Sequence, residues 1–220
     1  MQQTSDHIRA CYDAAAREYA ERFSGELAHK PLDREALGRF AIDVKGRGDV
    51  YDLGCGPGQT TAFLHCCGIP VRGLDLSEGV LREARRRHPG IAFEQGDMLA
   101  LPLADASLAG VVAFYAIVHL SPEGLRRALA EMHRVLRPGG RLLLAFHIGD
   151  SSIHVEEFLG HRVSLDFVFF TPAAITGELV RTGFMAVETI ERDPYPEVEY
   201  PSRRAYVSAC KPNHHGDGAI

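Results

Sequence analysis

Hydrophobic residues near the start of the chain recur with the spacing of an α-helix. Over residues 5–23 the apolar positions on one helical face are Ile8, Cys11, Tyr12, Ala15, Tyr19 and Phe23. A second helix is predicted over residues 32–44. The pattern therefore predicts a helical segment over residues 1–46, ahead of the rest of the fold.

From residue 50 the pattern changes to short apolar runs separated by amphipathic segments. The runs predict strands over residues 50–53, 71–74, 91–94, 108–114 and 141–146, and the segments between them predict helices over residues 59–67, 77–88 and 122–136. Pro138 and the glycines after it should end the last of these helices. The alternation predicts an α/β fold, a doubly wound Rossmann-like sheet with right-handed crossovers and helices on both faces.

The alternation stops after residue 146. Residues 147–170 are long for a connection and rich in His and Phe, so we expect an insertion over the strand ends. A helix is then predicted with Thr171 as N-cap, Pro172 in its first turn and Gly183 near its end. Strands are predicted over residues 186–191 and 205–209. We expect one domain over residues 1–212 and a flexible tail over residues 213–220.

A glycine-rich turn follows the first predicted strand, in the segment VYDLGCGPGQTT. Gly54, Gly56 and Gly58 alternate after an apolar run that ends at Asp52. A dinucleotide fingerprint reads GxGxxG, but Gln59 stands in place of its third glycine, and no Gly-Lys-Ser/Thr follows to make a P-loop. A carboxylate before the turn would repel a pyrophosphate and could attract a cation. The turn therefore favours a ligand with positive charge over a phosphate.

A second acid ends the second predicted strand, in the segment GLDLS. An acid at the position of Asp75 can accept hydrogen bonds from both hydroxyl groups of a ribose. It indicates an adenosine-like ligand without choosing between cofactors. The alternative is that Asp75 only helps to cap the helix that begins after Ser77.

Composition and charge narrow the function classes. The net charge is −5, which gives no electrostatic footprint for nucleic acid. The five cysteines are odd in number and lack CxxC spacing, so we interpret them as reduced thiols in a cytoplasmic protein. We expect no signal peptide and no membrane span, because no apolar run approaches the length that either needs. No metal site is predicted.

Five motifs in order carry a family resemblance. The segments YDLGCGPG, GLDLS, QGDMLALPL, AFYAIVHLSP and VLRPGGRLLLAF follow one another as in class I S-adenosylmethionine (SAM)-dependent methyltransferases. The sequence most resembles the group that includes the ubiquinone and menaquinone biosynthesis enzymes. The resemblance implies a seven-stranded sheet, mostly parallel with an antiparallel last strand, and an N-terminal helical cap over the cofactor. It implies SAM as cofactor and S-adenosylhomocysteine (SAH) as product.

The resemblance also implies which residues contact the cofactor. At the strand ends these are Asp52, Gly54, Cys55, Gly56, Gly58 and Tyr115 for the turn and the methionine part, Asp75 for the ribose, Leu76, Asp97 and Met98 for adenine, and His119 near the methyl group. The segment YDAAAREYAERF resembles the helix that closes over SAM, with Tyr12 and Tyr19 as contacts. The alternative for these tyrosines is a plain packing face.

Methyl transfer from a sulfonium mainly requires alignment, and a base is needed only if the nucleophile arrives protonated. Histidine suits that task near neutral pH. His119, His147 and His154 are candidates, and we hypothesise that at least one of His119 and His147 contacts the acceptor. The alternative for each is a structural or surface histidine.

Aromatic and basic residues in the second half could form an acceptor pocket. The aromatic candidates are Phe158, Phe167, Phe169, Phe170, Tyr195 and Tyr200. Lys30 and Arg203 could anchor an anionic acceptor, although such residues are also ordinary on surfaces. No Asn/Asp-Pro-Pro-aromatic motif of nucleic-acid or protein amide methylation follows the fourth strand, which favours a small molecule.

The sequence thus predicts a SAM-dependent methyltransferase acting on O, N or C of a small metabolite, as a monomer or homodimer. One alternative is a domain that binds SAM or SAH without transferring the methyl group. A nicotinamide-dependent oxidoreductase is disfavoured by Gln59 and Asp52.

Overall fold

The computed structural model describes residues 3–213. Its helices are α1 (Ser5–Ala14), α2 (Ala16–Phe23), α3 (Pro31–Val44), α4 (Gln59–Cys66), α5 (Glu78–Arg87), α6 (Pro122–Val135) and α7 (Pro172–Thr182), with a 3-10 turn at Glu26–His29. Its strands are β1 (Val50–Leu53), β2 (Val71–Asp75), β3 (Phe93–Gln95), β4 (Leu108–Phe114), β5 (Leu136–His147), β6 (Ser152–Phe158), β7 (His161–Val168), β8 (Met185–Arg192) and β9 (Arg204–Cys210).

Seven strands form one sheet in the order β3-β2-β1-β4-β5-β9-β8. Strands β1 to β5 are mutually parallel, and β9 runs antiparallel to both of its neighbours. The predicted seven-stranded, mostly parallel sheet with an antiparallel last strand is confirmed. The strand order reverses at β1, which pairs with β2 on one side and β4 on the other. In such sheets a ligand binds beyond the carboxyl ends of the strands at this reversal.

Helices cover both faces of the sheet. Buried residues of α6 and α7, such as Leu129 and Leu179, pack on one face. Leu37 and Phe40 of α3 pack on the other. Because both faces are covered, β1 and β4 are apolar along nearly their whole length instead of alternating. This packing holds the carboxyl ends of β1, β2 and β4 as a rigid edge.

Local signals set the bounds of several helices. Thr171 caps α7, since its hydroxyl accepts a hydrogen bond from the backbone of Ala174 at 3.2 Å, and Pro172 lies in the first turn. Gly183 ends the helix with φ +100°, as predicted. Helix α6 ends at Val135, before Pro138, and β5 begins at the next residue, earlier than the predicted strand.

The predicted single helix over residues 5–23 is wrong in one respect, because it is broken at Ala15. The φ and ψ angles of Ala15, −102° and 12°, leave the helical range. Ala15 is fully buried, as are the inward-facing residues on either side of it. Periodicity could not reveal the break because both halves bury the same side.

Residues 147–170, predicted as an insertion, contain the antiparallel hairpin of β6 and β7. Leu159 and Gly160 link the two strands with φ of +53° and +83°. Two consecutive positive φ angles are typical of the type I′ turn that joins two-residue hairpins. The backbone of Val168 donates a hydrogen bond to the carbonyl of Val118 at 2.6 Å, so the hairpin lies over the carboxyl end of β4.

Two further predictions concern the chain as a whole. Of the tail predicted over residues 213–220, residues 214–220 lie outside the described part. Within residues 3–213, no helix combines the length and the apolar character needed to cross a lipid bilayer.

Candidate cofactor and acceptor site

The glycine turn lies at the reversal of strand order, immediately after β1. The amides of Gly54 and Cys55 both donate to the carbonyl of Leu74, at 2.7 and 3.1 Å, and this fastens the turn to β2. Gly54 has φ +66°, and a Cβ atom on it would lie 2.5 Å from the Cβ of Ala116. Glycine is therefore needed here both for its conformation and for the close approach of the loop after β4.

A pocket opens above this turn, between α1, α2 and the carboxyl ends of β1, β2 and β4. It contains about 590 Å³ of space, part of it open to solvent. Its walls include Ile8, Arg9, Tyr12, Tyr19, Gly54, Leu74, Asp75, Leu76, Ser77, Val80, Gly96, Met98, Tyr115, Ala116, Val118 and His119. Eight of the predicted cofactor contacts are in this wall, namely Tyr12, Tyr19, Gly54, Asp75, Leu76, Met98, Tyr115 and His119.

Asp75 is the acidic group of the pocket wall. One carboxylate oxygen accepts from the amide of Gly56 at 2.9 Å and the other from the amide of Ser77 at 3.0 Å. Burial raises the pKa of Asp75, and the hydrogen bonds from these amides oppose that rise. The hydroxyl of Ser77 caps α5 itself, by accepting from Val80 at 3.1 Å. Asp75 thus braces the turn and the start of α5 while facing the pocket.

Asp52, Cys55, Gly56 and Gly58 lie around the turn without forming the pocket wall. Asp52 is buried and accepts a hydrogen bond from the hydroxyl of Thr61 at 2.7 Å. Burial raises the pKa of Asp52 to about 7. A Cβ atom on Gly56 would lie 3.3 Å from the ring of Tyr19, so this glycine lets α2 close on the turn. Asp52 is thus bound to Thr61 of α4, and Gly56 leaves space for Tyr19 of α2.

Asp97 is engaged by the N-terminal helix. The hydroxyl of Ser5 donates to Oδ2 at 2.6 Å, and the amide of Leu99 donates to Oδ1 at 2.8 Å. Asp97 is outside the pocket wall described above, whereas its neighbour Met98 is within it. The structure therefore places the predicted adenine acid in contact with α1.

Asp13 holds α1 against the body of the fold, a role that no sequence pattern predicts. Its Oδ1 atom accepts from the hydroxyl of Ser77 at 2.6 Å and from the amide of Gly79 at 2.7 Å. A carboxylate at the N-terminus of α5 also suits the positive end of that helix dipole. Helix α1 is therefore docked over the pocket by an acid at its own C-terminal end.

Tyr12 and His119 form a hydrogen-bonded pair in the pocket wall. Nδ1 of His119 lies 2.7 Å from the backbone carbonyl of Asp166, which can only accept, so Nδ1 carries the proton. Nε2 then accepts from the hydroxyl of Tyr12 at 2.9 Å. Burial lowers the pKa of His119 and raises the pKa of Tyr12. Both side chains are neutral near pH 7.

Aromatic side chains surround this pair. The ring of Tyr12 lies 5.3 Å from Tyr19 and 5.7 Å from Phe158, and the ring of His119 lies 4.9 Å from Phe167. Phe158 and Phe167 belong to the hairpin, so α1, α2 and the hairpin meet in one aromatic wall. The predicted aromatic residues of the insertion are brought to the pocket by the fold of β6 and β7.

His147 is the last residue of β5, and its ring lies beside Tyr115, which lines the pocket. Its ring lies 5.5 Å from Tyr115 and stacks on Phe169 at 5.3 Å with an interplanar angle of 13°. Nδ1 is 2.8 Å from the hydroxyl oxygen of Ser202. Burial, together with the charges of Arg204 and Lys30, lowers the pKa of His147 to about 3. His147 is therefore a neutral imidazole.

Lys30 belongs to a buried ionic cluster that the sequence did not reveal. We use this name for Lys30, Asp33, Arg192, Glu199 and Arg204. The ammonium of Lys30 pairs with Glu26 at 2.6 Å and with Glu199 at 3.2 Å, and its side chain is only 6% exposed. Its charge is thus already neutralised inside the chain.

The cluster reaches the pocket through Tyr115. The hydroxyl of Tyr115 donates to Asp33 at 3.0 Å, and Arg192 pairs with the same carboxylate at 2.9 Å. Burial would raise the pKa of Glu199, but hydrogen bonds from Arg192 and from the amide of Tyr195 and the charges of Lys30 and Arg204 lower it to about 2. Tyr115 has φ +55° and lines the pocket, and its hydroxyl is anchored in the cluster.

The remaining predicted acceptor residues are spread over the molecule. Tyr195 accepts from the amide of Leu32 and stacks with Arg192, away from the pocket wall. Tyr200 is 53% exposed and lies near Phe169 and His147. His154 is half exposed and pairs with the carboxylate of Asp166 at 2.7 Å.

Arg203 lies on the surface, where it pairs with Glu191 at 3.0 Å and Asp193 at 3.5 Å. The structure therefore brings Phe167, Phe169 and Tyr200 towards the two histidines. Lys30, His154, Tyr195 and Arg203 are instead held by other residues of the chain.

Known proteins share this fold and these motifs. Residues 50–140 match the family described as Methyltransferase domain. The chain is 42% identical to a demethylmenaquinone methyltransferase of Beutenbergia cavernae over 63% of its length and 57% of the relative's. It is 28% identical to a malonyl-[acyl-carrier protein] O-methyltransferase of Pseudescherichia vulneris over 73% and 66%. A SAM-dependent methyltransferase structure from Methanosarcina mazei aligns with a TM-score of 0.67 and 19% identity, covering 75% of this chain and 92% of that one.

The chain is similar to class I SAM-dependent methyltransferases, and its residues 50–140 match their methyltransferase domain. It spans less than two thirds of the length of the two curated relatives named above. The cofactor of this class is SAM, and the pocket fits its parts. Asp75, Leu76, Met98, Gly54, Tyr115 and His119, which the resemblance assigns to the cofactor, all line this pocket.

Proposed function

We propose that the chain binds SAM in this pocket and transfers its methyl group to O, N or C of a small-molecule acceptor. The observation that carries the proposal is the meeting of Asp75, the glycine turn and the Tyr12–His119 pair in one pocket at the reversal of strand order. The names of the two curated relatives, which refer to demethylmenaquinone and to malonyl-[acyl-carrier protein], favour a metabolite acceptor.

The cofactor contacts that we propose are those that the family resemblance implies, and the residues that line the pocket support them. Asp75 would accept from the ribose hydroxyls, and Leu76 and Met98 would pack on adenine. The backbone of Gly54 and Tyr115 would line the methionine part. Asp52, Cys55, Gly56, Gly58 and Asp97 would act behind these contacts, by holding the turn and α1. Residues 1–212 would function as one domain, with residues 1–46 closing over the cofactor.

When bound, the cofactor supplies an electrophilic methyl group on a sulfonium. The chain must hold the acceptor in line with that methyl group and exclude water, and alignment of this kind can lower a barrier by about 7–11 kcal/mol. The aromatic wall of Tyr12, Tyr19 and Phe158 does both, since it closes the pocket beside His119. Residues 147–170 form the acceptor side of this wall.

His119 is the residue suited to receive a proton from a hydroxyl or amine acceptor. Its Nδ1–H is fixed by the carbonyl of Asp166, which leaves Nε2 as the basic atom. The hydroxyl of Tyr12 occupies that atom here. Proton transfer therefore requires Tyr12 to move aside or to relay the proton, so both side chains would act together.

Thermal unfolding with SAM, SAH or NAD tests the cofactor. At about 100 times its dissociation constant a ligand stabilises the fold by about 2.7 kcal/mol, which corresponds to a rise in Tm of about 5–11 °C. We expect this rise with SAM and SAH, a much smaller one in Asp75→Ala, and the full rise in Asp49→Asn. Asp49 is an exposed acid just before β1, at the opposite edge of the sheet.

Turnover tests the reaction once binding is established. Conversion of SAM to SAH should depend on an added acceptor, with demethylmenaquinone, malonyl thioesters, phenols and amines as the first set. A rise in Tm with NAD alone would contradict the cofactor assignment. Binding of SAM without conversion in any arm would favour a domain that binds the cofactor and transfers nothing.

A further inference from the structure

The Nδ1 atoms of the two histidines, His119 and His147, have different hydrogen-bond partners. His119 faces a backbone carbonyl with Nδ1, which fixes the proton on that atom. His147 faces the hydroxyl of Ser202 with Nδ1, at 2.8 Å. A hydroxyl can donate or accept, so the other contacts of Ser202 decide the proton position on His147.

Within residues 3–213 the Ser202 hydroxyl has two hydrogen-bond partners, Nδ1 of His147 and the guanidinium of Arg204. This guanidinium can only donate, and Nη1 lies 2.5 Å from the hydroxyl oxygen of Ser202. Nδ1 of His147 is the only acceptor that the described residues place within hydrogen-bond distance of this hydroxyl, so the hydroxyl hydrogen points at Nδ1. Nδ1 accepts, so the single proton of the neutral ring is on Nε2.

Nε2 of His147 is available to a ligand. Within residues 3–213 it has no hydrogen-bond partner, and it is not sealed from solvent. The adjacent Nε of Arg204 is also without a partner and is buried, with the nearest oxygen of Glu199 at 3.9 Å. These two N–H donors, one on His147 and one on Arg204, thus have no hydrogen-bond acceptor within residues 3–213.

The surroundings of His147 favour a negative charge. Arg204 and Lys30 both approach the ring of Tyr115, at 5.8 and 5.0 Å, and the ring of His147 lies 5.5 Å from the same ring. Lys30 is paired with Glu26 and Glu199, so the group that can attract an anionic oxygen is the guanidinium of Arg204, whose Nε has no partner within residues 3–213. Phe169 and Tyr200, at 5.3 and 6.3 Å from the imidazole, add flat apolar surface beside it.

We infer that His147 is a specificity-determining residue whose Nε2–H donates a hydrogen bond to an anionic oxygen of the acceptor, a carboxylate or a phenolate on a flat apolar body. The inference rests on the proposed function, because it concerns the acceptor of the same site. It separates the two histidines, since His119 offers a basic nitrogen and His147 offers a donor. His147 would hold the acceptor and leave proton removal to His119.

The proton positions can be read directly by NMR of the ¹⁵N-labelled protein. Long-range ¹H–¹⁵N spectra distinguish the two neutral tautomers, and the variants His147→Gln and His119→Gln assign the signals. We expect His147 neutral between pH 5 and pH 8 with the proton on Nε2, and His119 with the proton on Nδ1. In Ser202→Ala the imidazole of His147 should lose its preference for the tautomer with the proton on Nε2, whereas Ser202→Thr should preserve that preference. A proton on Nδ1 of His147 would overturn the inference.

Binding of three probes to the SAH complex tests the ligand class. 1-Naphthoate carries a carboxylate, 1-naphthol a hydroxyl, and 1-methylnaphthalene no oxygen. We expect 1-naphthoate to bind best of the three probes. Its affinity should fall about 10- to 100-fold in His147→Phe, which has an aromatic ring at this position but no N–H donor. His147→Gln should retain part of the affinity, and His65→Phe, on an exposed turn of α4, should retain all of it.

SAH affinity, measured in each variant by calorimetry, separates the two proposals. If SAH binds and 1-naphthoate binds no better than 1-methylnaphthalene, or not at all, the role of His147 is refuted and the cofactor assignment stands. If SAH does not bind to the wild-type protein, the proposed function is refuted. The NMR spectra then still show which nitrogen of His147 carries the proton.

Discussion

The carboxyl group of Asp52 shows how burial alone can change the chemistry of a residue. Asp52 lies in β1, one residue before the strand ends, and the hydroxyl of Thr61 donates a hydrogen bond to its carboxyl group. Burial raises its pKa to about 7, so it is partly protonated near neutral pH. From the sequence we expect a carboxylate that can attract a cationic group, and this contact stays a prediction. The structure adds that burial makes this carboxyl group a weak acid.

We expect Asp52→Asn to abolish the part of the pH dependence of stability that the titration of Asp52 causes. The carboxyl titrates near 3.9 when unfolded and at about 7 when folded, so the folded state holds the proton more tightly. That stabilisation is complete below about pH 4 and is lost as the pH rises through 7. Relative to the wild type, the variant should therefore gain stability between pH 4 and pH 8, by up to about 4 kcal/mol. Urea unfolding at several pH values measures this, with Asp49→Asn as the control. Parallel curves for wild type and Asp52→Asn would refute it.

Single residues also show the limits of motif transfer. Asp75 and Met98 lie in the pocket wall where the resemblance puts them, because they follow strands that end at the same edge. Asp97 is bonded to Ser5, which no motif indicates. Contacts between distant segments decide whether a residue with the expected side chain faces the pocket.

At the scale of elements, the hairpin of β6 and β7 depends on an unusual turn. Leu159 adopts φ +53°, a conformation that costs a residue with a Cβ roughly 1–2 kcal/mol. Gly160, at φ +83°, has open space around the position of a Cβ atom. The hairpin carries Phe158 and Phe167, so its stability bears on the aromatic wall.

We expect Leu159→Asn to stabilise the protein and Gly160→Ala to destabilise it. Asn-Gly is the preferred pair for a type I′ turn, and we expect a gain of about 0.5–1 kcal/mol, or a rise in Tm of about 1–4 °C. Alanine at position 160 meets no atom, so its cost of about 1 kcal/mol would come from the backbone alone. Calorimetric melting of both variants checks this. A fall in Tm for Leu159→Asn would show that packing of the leucine outweighs its strain.

Elements with strong local signals were predicted well. The strands over residues 50–53 and 108–114 have the predicted bounds, because parallel strands buried on both faces are continuous apolar runs. The hairpin was expected only as an insertion. Its register depends on the turn at Leu159 and Gly160, which has just one of the usual turn residues.

At the scale of the molecule, the buried ionic cluster joins segments that are far apart in sequence. Asp33 of α3 is fully buried and accepts from Arg192 of β8, Tyr206 of β9 and Tyr115 after β4. The last two strands and the N-terminal segment are thus tied to the backbone that lines the pocket. Any change to this cluster should affect both stability and cofactor binding.

We expect Asp33→Ala to destabilise the fold by about 3–5 kcal/mol, because it leaves the buried guanidinium of Arg192 with one of its two carboxylate partners missing. Asp43→Ala is the matched control, since Asp43 is half exposed and pairs with Arg141 on the surface. It should cost at most about 1 kcal/mol. Denaturant unfolding of the two variants measures the difference, and similar losses in both would contradict a structural role for the cluster.

The sequence by itself determined the sheet, its helices, the glycine turn and the acid after β2. These depend on local periodicity and on the rule that parallel strands end at one edge. Only the tertiary structure decided that the N-terminal helix breaks at Ala15, that Ser5 engages Asp97, that Lys30 is paired with Glu199, and that Nδ1 of His119 faces a carbonyl whereas Nδ1 of His147 faces a hydroxyl. Each of these depends on a partner far away in the chain, and spacing along a sequence carries no record of which distant groups meet.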